Sequence, residues 1–369
     1  MSEEKKLEMK NKYVPDAALF SDIVALCSEM SVSGFERRAH ARIGELYSEH
    51  FDEIRTDAVG NCVLVQRSER QGAPKIMIDA HLDEVGMLVC DVLEGGFLRI
   101  VSVGGIDRSI MQASDVVVYG KEQIRGVVCS VPPHLSADKG DKLPQISELL
   151  VDVGEGYMLE ELCELCGVGT PVGYAPVYSQ MGDGYIAGKS LDDKACAAIA
   201  LRAVINTPRE ELAGDVYICL SAQEETSRIG GVCAACFFER PDYAAALDVN
   251  LGSAPDAPER DTVGMKKGIS ICYSAATDRA LTRESEQMCR EREIPFTVCA
   301  APSSTGTNAT AINLVREGIP VVDVGLPLRN MHTYNEVVAL DDAQALYGFV
   351  VEFIKNENIA KRFGRTVEK

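Results

Sequence analysis

The chain has 369 residues, with 56 acidic against 37 basic side chains and a formal charge of −19, which argues against nucleic acid or an anionic membrane surface as a partner. At this length one hydrophobic core rarely serves the whole chain, so two domains are expected. The composition, 46% apolar and 25% charged, is globular and leaves no room for a long disordered region.

No apolar run reaches the roughly 20 residues that span a bilayer, and Met1-Ser2-Glu3-Glu4-Lys5-Lys6 lacks the apolar segment of a signal peptide. A soluble, cytoplasmic protein is expected. The 13 cysteines are an odd number scattered along the chain, and read as reduced core residues. The same reading covers Cys163/Cys166 and Cys233/Cys236, which lie too far apart for the short loop joining the two pairs of a zinc ribbon.

Leu19, Ile23, Val24, Leu26 and Cys27 recur at helical spacing between Ala17 and Glu29. Ser33-Gly34 ends that helix, and a second begins near Phe35 with Ala39, Ile43 and Leu46 on one face. His40 and His50 are expected on its exposed side. Phe51 to Arg67 reads as a hairpin with Val59-Gly60-Asn61 as its turn. Lys75 to Ala80 is a strand that delivers His81-Leu82-Asp83-Glu84 at its end. From Gly86 to about Gln180 short β-like pieces punctuated by Gly and Pro predict a small β-barrel, with Asp138 to Pro144 as an exposed loop.

From Gly188 the α/β rhythm returns. Helices are predicted over Asp192–Ile205, Gly231–Phe238, Ala309–Arg316 and, at the end, Asp341–Asn356. Strands are predicted over Val216–Leu220, Tyr243–Val249, Phe296–Ala301 and Ile319–Leu326. The expected organisation is an α/β domain, residues 1–86 and 181–369, interrupted at a strand end by a β-domain over residues 87–180.

The chemistry centres on Ser221-Ala222-Gln223-Glu224-Glu225-Thr226, which follows the apolar strand Val216–Leu220. Two adjacent carboxylates at the end of a buried strand repel one another and are poorly solvated. A divalent cation removes the conflict by taking one as a ligand and leaving the other as a base. Other groups fall at equivalent places: His81 and His332 after strands, Asp248 at a strand end, Asp192 at a helix start. Each has a bland reading alone. Asp192-Asp193 suits an acidic first turn facing the helix dipole, and Asp248 a strand-end turn. Together, His81, Asp192, Glu225, Asp248 and His332 are the donor types of a two-metal hydrolase, suiting zinc, cobalt or manganese. Glu224 is left unligated as the general base, and Asp83, two residues after His81, can orient its ring.

These segments resemble the tetrahedral dinuclear-metal aminopeptidases, metallopeptidase family forty-two, which include glutamyl and deblocking aminopeptidases and some proteins labelled cellulase or endoglucanase. The resemblance runs through Asp57-Ala58-Val59-Gly60-Asn61, Ala80 to Gly86, Pro132-Pro133-His134-Leu135, Leu191-Asp192-Asp193-Lys194, Gln223-Glu224-Glu225, Asp248-Val249, Arg316-Glu317-Gly318-Ile319-Pro320 and Arg329-Asn330-Met331-His332-Thr333. It implies a zinc-peptidase-like mixed-sheet α/β catalytic domain with an inserted small PDZ-like β-barrel that dimerises. It also implies assembly of dimers into a hollow tetrahedral dodecamer that admits only peptides. Two divalent ions per subunit, zinc or cobalt before manganese, are implied, one held by His81, Asp192 and Asp248, the other by Asp192, Glu225 and His332, with Asp192 bridging. Glu224 is then general base and acid, and Asp83 orients His81. The chain departs from the family at Asn308, where Thr-Asp-Ala is usual, and in Asn250 to Asp256. Asn308 is the candidate substrate-binding residue.

The expected reaction is removal of N-terminal residues from peptides. Two other readings remain at the level of sequence: a metal-dependent deacylase of blocked or sugar-conjugated amines, and a non-catalytic, metal-stabilised assembly protein. A glycosidase needs a carboxylate pair and no metal, so that label fits poorly.

Overall fold

In the computed structural model, which describes residues 16–130, 143–227, 230–255 and 257–364, the helical and alternating patterns become two sheets, a large one with helices on both faces and a barrel against which the short helix Leu159–Cys166 packs. His134 with its neighbouring prolines, most of the expected loop from Asp138, and Asp256 lie outside the described residues. In chain order the elements begin with α1 (Asp16–Cys27), α2 (Arg37–Tyr47), β1 (Glu53–Thr56), β2 (Cys62–Gln66) and β3 (Lys75–His81). The next group is β4 (Gly86–Leu93), β5 (Phe97–Val103), β6 (Asp115–Tyr119), β7 (Gln123–Val128), β8 (Leu150–Asp152), α3 (Leu159–Cys166) and β9 (Pro171–Tyr174). Then follow β10 (Tyr178–Met181), β11 (Tyr185–Gly188), α4 (Leu191–Ile205), β12 (Asp215–Ser221), α5 (Glu224–Ser227), α6 (Gly230–Glu239) and β13 (Tyr243–Leu251). The chain closes with β14 (Ile269–Ser274), α7 (Arg279–Glu291), β15 (Phe296–Ala301), α8 (Ala309–Ile312), β16 (Val321–Arg329), β17 (Glu336–Ala339), α9 (Leu340–Ile354) and α10 (Glu357–Phe363).

Strands β4, β5, β8, β7, β6 and β9 close into a six-stranded barrel, and the other eleven strands form one mixed sheet. At the centre of that sheet β12, β3, β13 and β16 run parallel, so their carboxyl ends share one edge. The strand at Val216–Leu220 is parallel to β3 on one side and antiparallel to β2 on the other. One face is covered by α1, α2, α4, α7 and α9 over the larger core, the other by α6 and α8 over a smaller one. Helix α4 is alanine-rich because it is buried nearly all round, between the sheet and helices α1 and α9; a small Cβ lets helices approach closely on every side.

Several elements differ from the sequence pattern. Helix α8 stops at Ile312, well short of Arg316, and Arg316 and Gly318 turn the chain at positive φ. The last helical run is two helices, because Asn356 caps a new one by accepting from the Asn358 and Ile359 amides. Strand β14, helix α7 and strand β17 are not among the expected elements, although α7 carries a helix signal: Asp278 caps it by accepting the Ala280 and Leu281 amides, and a buried stripe includes Leu281, Met288 and Cys289. All 13 cysteines are free thiols, but Cys163 is exposed and Cys233 half-buried rather than in the core, since each helix turns only Cys166 or Cys236 inward. His40 is half-buried, with Nε2 2.9 Å from the Gly60 carbonyl oxygen. His50 is exposed and lies beyond the end of α2.

Beneath the junction between sheet and barrel lies an ionic cluster. Glu84 takes the Lys189 ammonium at 2.5 Å and the Lys194 ammonium at 3.2 Å, and Ser190 also donates to it. All three charged side chains are buried. Burial pushes the Lys194 amine down to about 8 against the pull of Glu84. Burial also opposes ionisation of Glu84, but the two lysines outweigh it and hold the carboxyl below its usual range. Glu84→Ala strands two buried ammonium groups, and the unfolding free energy should fall by about 3–5 kcal/mol. Urea denaturation checks this; a loss under about 1 kcal/mol would show that water or rearrangement replaces the carboxylate.

Candidate active site

The site is assembled at the carboxyl edge of the parallel strands, where an open α/β sheet leaves a crevice. Strand β3 ends on His81, β13 carries Asp248, and Glu224-Glu225 follow β12 after a two-residue turn. That turn is held from below. Asp57 accepts the amides of Val59, Gly60 and Asn61 through Oδ1, and the Asn61 amide nitrogen through Oδ2. Asn61 Oδ1 in turn accepts the Ala222 amide at 3.0 Å. Glu36 accepts the Gln223 amide at 3.0 Å, where the backbone passes through positive φ. Gly60, at φ 125°, lies where a Cβ would meet Glu36 and Ala222, so only glycine lets the two loops touch here. The Asp57–Asn61 segment is therefore the support of the Glu224-Glu225 turn as well as a hairpin loop.

Asp192 lies between the two imidazoles. Its Oδ1 is 3.1 Å from His81 Nε2 and its Oδ2 is 3.4 Å from His332 Nε2. Glu225 Oε2 lies 3.1 Å from the same His332 nitrogen, and Asp248 Oδ1 lies 4.0 Å from His81 Nε2. One atom each from His81, Asp192 and Glu225 fall within 4.8 Å of one another, as do atoms from His81, Asp193 and Asp248. The His81 Nδ1 proton goes to the backbone carbonyl of Asp83 at 2.9 Å, with the carboxylate oxygen further off at 3.6 Å. That carboxylate is occupied elsewhere, accepting the amides of Glu224 and Glu225 at 3.0 and 3.1 Å. Asp83 thus ties the ring of His81 to the acidic turn. His332 donates through Nδ1 to the Gly105 carbonyl at 2.8 Å, which leaves Nε2 facing Asp192 and Glu225.

More carboxylates than imidazoles are buried here, and the protonation equilibria show it. Burial pushes Asp192 up, but its hydrogen bonds to His332 and His81 prevail and hold it at about 2. Burial pushes Asp193 and Asp248 well above the carboxylate range. It raises Glu225 too, helped by Asp192. Glu224 is pushed up to about 7 by burial, then by Glu225, Asp83 and Asp192, against the pull of His81. Burial would lower both histidines, but the surrounding carboxylates reverse that and carry His332 up to about 11. Glu224 Oε1 and Asp193 Oδ1 are buried without a hydrogen-bond partner. Oxygen and imidazole donors, a carboxylate facing two ways, surplus negative charge and orphaned oxygens fit divalent cations.

Two acidic residues were not singled out by sequence reasoning. Asp193, fully buried, accepts the His81 amide through Oδ2. Its only sequence signal is adjacency to Asp192. Glu336 accepts the Asp192 amide at 3.0 Å and the His332 amide at 2.8 Å, so one carboxylate fixes the backbone of both residues. Nothing in the sequence pairs a glutamate in a short strand with an aspartate at a distant helix start. Asn308 lies at the start of α8. It is buried, and its amide nitrogen donates to Asp79 and to Ser221, each at 2.9 Å.

Imidazoles and carboxylates gathered at the carboxyl edge of a mixed α/β sheet are the layout of a metal-assisted hydrolase. The sequence profile of the M42 glutamyl aminopeptidase family matches residues 60–348, and the chain belongs to that family: it is a peptidase, hydrolysing peptide bonds. A lysyl aminopeptidase of Pyrococcus furiosus is 29% identical over 320 residues, covering 84% of this chain and 89% of that protein. An aminopeptidase of the archaeon Desulfurococcus kamchatkensis superposes with a TM-score of 0.86 at 26% identity, covering 96% of this chain and 99% of that one. Pyrococcus horikoshii TET1 peptidase, which can assemble into a tetrahedron or a large octahedral shell, superposes with a TM-score of 0.80 at 23% identity, covering 91% and 99%. That last likeness bears on the fold alone.

Glu336→Ala removes the support under Asp192 and His332, and affinity for zinc should fall about 10–100-fold, as read by titration calorimetry; unchanged affinity would make Glu336 a purely structural residue. Asn308→Asp places a second carboxyl against Asp79, which burial already pushes up to about 6. A carboxyl raised in the folded state favours folding while protonated and loses that contribution as pH rises through its folded value. The variant should therefore melt lower relative to wild type at about pH 8 than at about pH 5. An equal shift at both would remove the electrostatic explanation.

Proposed function

We propose that the chain is a dinuclear metal-dependent aminopeptidase that releases N-terminal residues from peptides. The observation that carries this is Asp192, whose two oxygens face two separate imidazoles, beside a buried Glu224 oxygen with no hydrogen-bond partner. His81, Asp192 and Asp248 would hold one ion and Asp192, Glu225 and His332 the other, with zinc or cobalt the best match to these donors. When bound, such ions polarise the scissile carbonyl and lower the pKa of water. Glu224 takes the proton from the attacking water through Oε1 and returns it to the leaving amine. Asp83 holds the Glu224-Glu225 turn in register with His81.

Residues 1–86 and 181–369 form the catalytic domain in this reading, and residues 87–180 an inserted, PDZ-like dimerisation domain. Support comes from the barrel strands, which all fall between Gly86 and Tyr174; β10 (Tyr178–Met181) already pairs with β11 in the large sheet, so the chain re-enters that sheet a few residues before 181. Dimers assembling into a closed tetrahedral dodecamer are proposed by analogy with TET1 peptidase structures, one described as a dodecamer and another as able to form a tetrahedron or an octahedral shell.

Glu224→Gln should lower kcat on free-amine aminoacyl anilides by about 10²–10⁴-fold while the bound metal content stays at the wild-type level. Near-normal turnover would remove Glu224 as the base. Chelation should abolish wild-type activity, and added cobalt or zinc should restore it. Cleavage of N-acetylated but not free peptides would redirect the reading to deacylation. Sedimentation should give a particle of dodecamer mass; a monomer or dimer alone would refute the assembly.

A further inference from the structure

Away from this site, two thiols lie side by side. Cys272 on β14 and Cys299 on β15 are register partners in a parallel pair. Registered residues on neighbouring strands point to the same face, and the spacing of about 4.8 Å between strands falls within the Cα separation of about 4.4–6.8 Å that a disulfide needs. The Cys299 sulfur leans over the neighbouring strand, 3.8 Å from the carbonyl oxygen of Ile271, the residue before Cys272. The two differ in access: Cys272 is 6% exposed and Cys299 is half-buried. Among the described residues strand β15 pairs with β14 alone, so it is an edge strand.

The other close-spaced cysteines do not share this arrangement. Cys163 and Cys166 sit at different depths on α3, and the Cys236 sulfur is packed against that of Met77 at 3.3 Å.

We propose that Cys272 and Cys299 are a reversible dithiol–disulfide pair, a redox modification site in which Cys299 attacks a low-molecular-weight disulfide and Cys272 resolves. The Cys299 thiolate bonds to one sulfur of that disulfide, whose S–S bond breaks and releases one thiolate that takes up a proton. Cys272 then gives up its proton, bonds to the Cys299 sulfur and displaces the second small thiol. Two protein thiols lose two electrons and two protons, and the small disulfide gains them. The order of attack follows from access: Cys299 is half-buried, whereas Cys272 is buried.

The pair is also placed to be felt beyond its own strands. Cys272 has Asp323 of β16 as its register partner on the other side. Asp323 accepts the Thr307 hydroxyl at 2.5 Å, anchoring the segment that leads from β15 to Asn308.

The test is glutathione disulfide treatment of the intact protein, alkylation of the remaining thiols, tryptic digestion and mass spectrometry. Cys272 and Cys299 fall in separate tryptic peptides, residues 268–279 and 293–316, each with no other cysteine. The expected result is a cross-linked pair of these two peptides, lost on treatment with dithiothreitol. Cys272→Ser should trap glutathione on Cys299, whereas Cys299→Ser should leave Cys272 unmodified. Recovery of both wild-type peptides in alkylated form, with no cross-link, would overturn the proposal. So would glutathione on Cys272 in the Cys299→Ser protein, because the assigned order of attack would then be wrong.

Discussion

Two imidazoles at the sheet edge are surrounded by more carboxylates than they can neutralise, and much of the structure follows from that imbalance. Asp83, Asp192, Asp193, Glu224, Asp248 and Glu336 are all buried around His81 and His332. A buried carboxylate is tolerated when backbone amides or cations satisfy it. Asp83, Asp193 and Glu336 take the first route, each accepting amides of the residues that carry the chemistry. The same bonds that settle these charges also fix the positions of His81, Asp192, the Glu224-Glu225 turn and His332. Asp192, Glu225 and Asp248 accept less from the backbone, and they are the groups turned toward the imidazoles.

The barrel takes part in this arrangement. Its Gly105 carbonyl fixes the ring of His332. At Gly104, which has positive φ, a Cβ would press on Val85 and come close to the Glu225 carbonyl. At the other side of the junction, Gly86 passes so near Val32 that a Cβ there would overlap its methyl groups. The buried Glu84 cluster ties Lys189 and Lys194 to a residue two positions before the strand that enters the barrel. A shift of the barrel would therefore be transmitted to the crevice through Gly105 and through Glu84, by contact and by charge.

Much of the architecture was legible in the residues. Leu19, Ile23 and Leu26 have helical spacing and form α1, and the texture change after Gly86 marks a barrel. The segments that escaped are those whose signal is local and weak. Strand β17 is only four residues long. Helix α8 ends early because the chain must turn back toward β16. Within the crevice, His81, Asp192, Glu224, Glu225, Asp248 and His332 were singled out because each follows a strand or opens a helix, a rule that reads from sequence. Asp193 and Glu336 obey no such rule, since their partners are backbone amides of residues distant in the chain.

By itself the sequence determined which side chains are available and which strand ends carry them, because hydrophobic periodicity is set by the residues in order. It determined the family through motifs that recur in a fixed sequence. Only the tertiary structure decided what each polar side chain binds: Asp83 to the acidic turn, Glu336 to two distant amides, Asn308 to Asp79 and Ser221. It also made Cys272 and Cys299 register partners on neighbouring strands. Hydrogen-bond partners are chosen by sub-ångström differences between groups far apart in the chain, and no local pattern of residues encodes them.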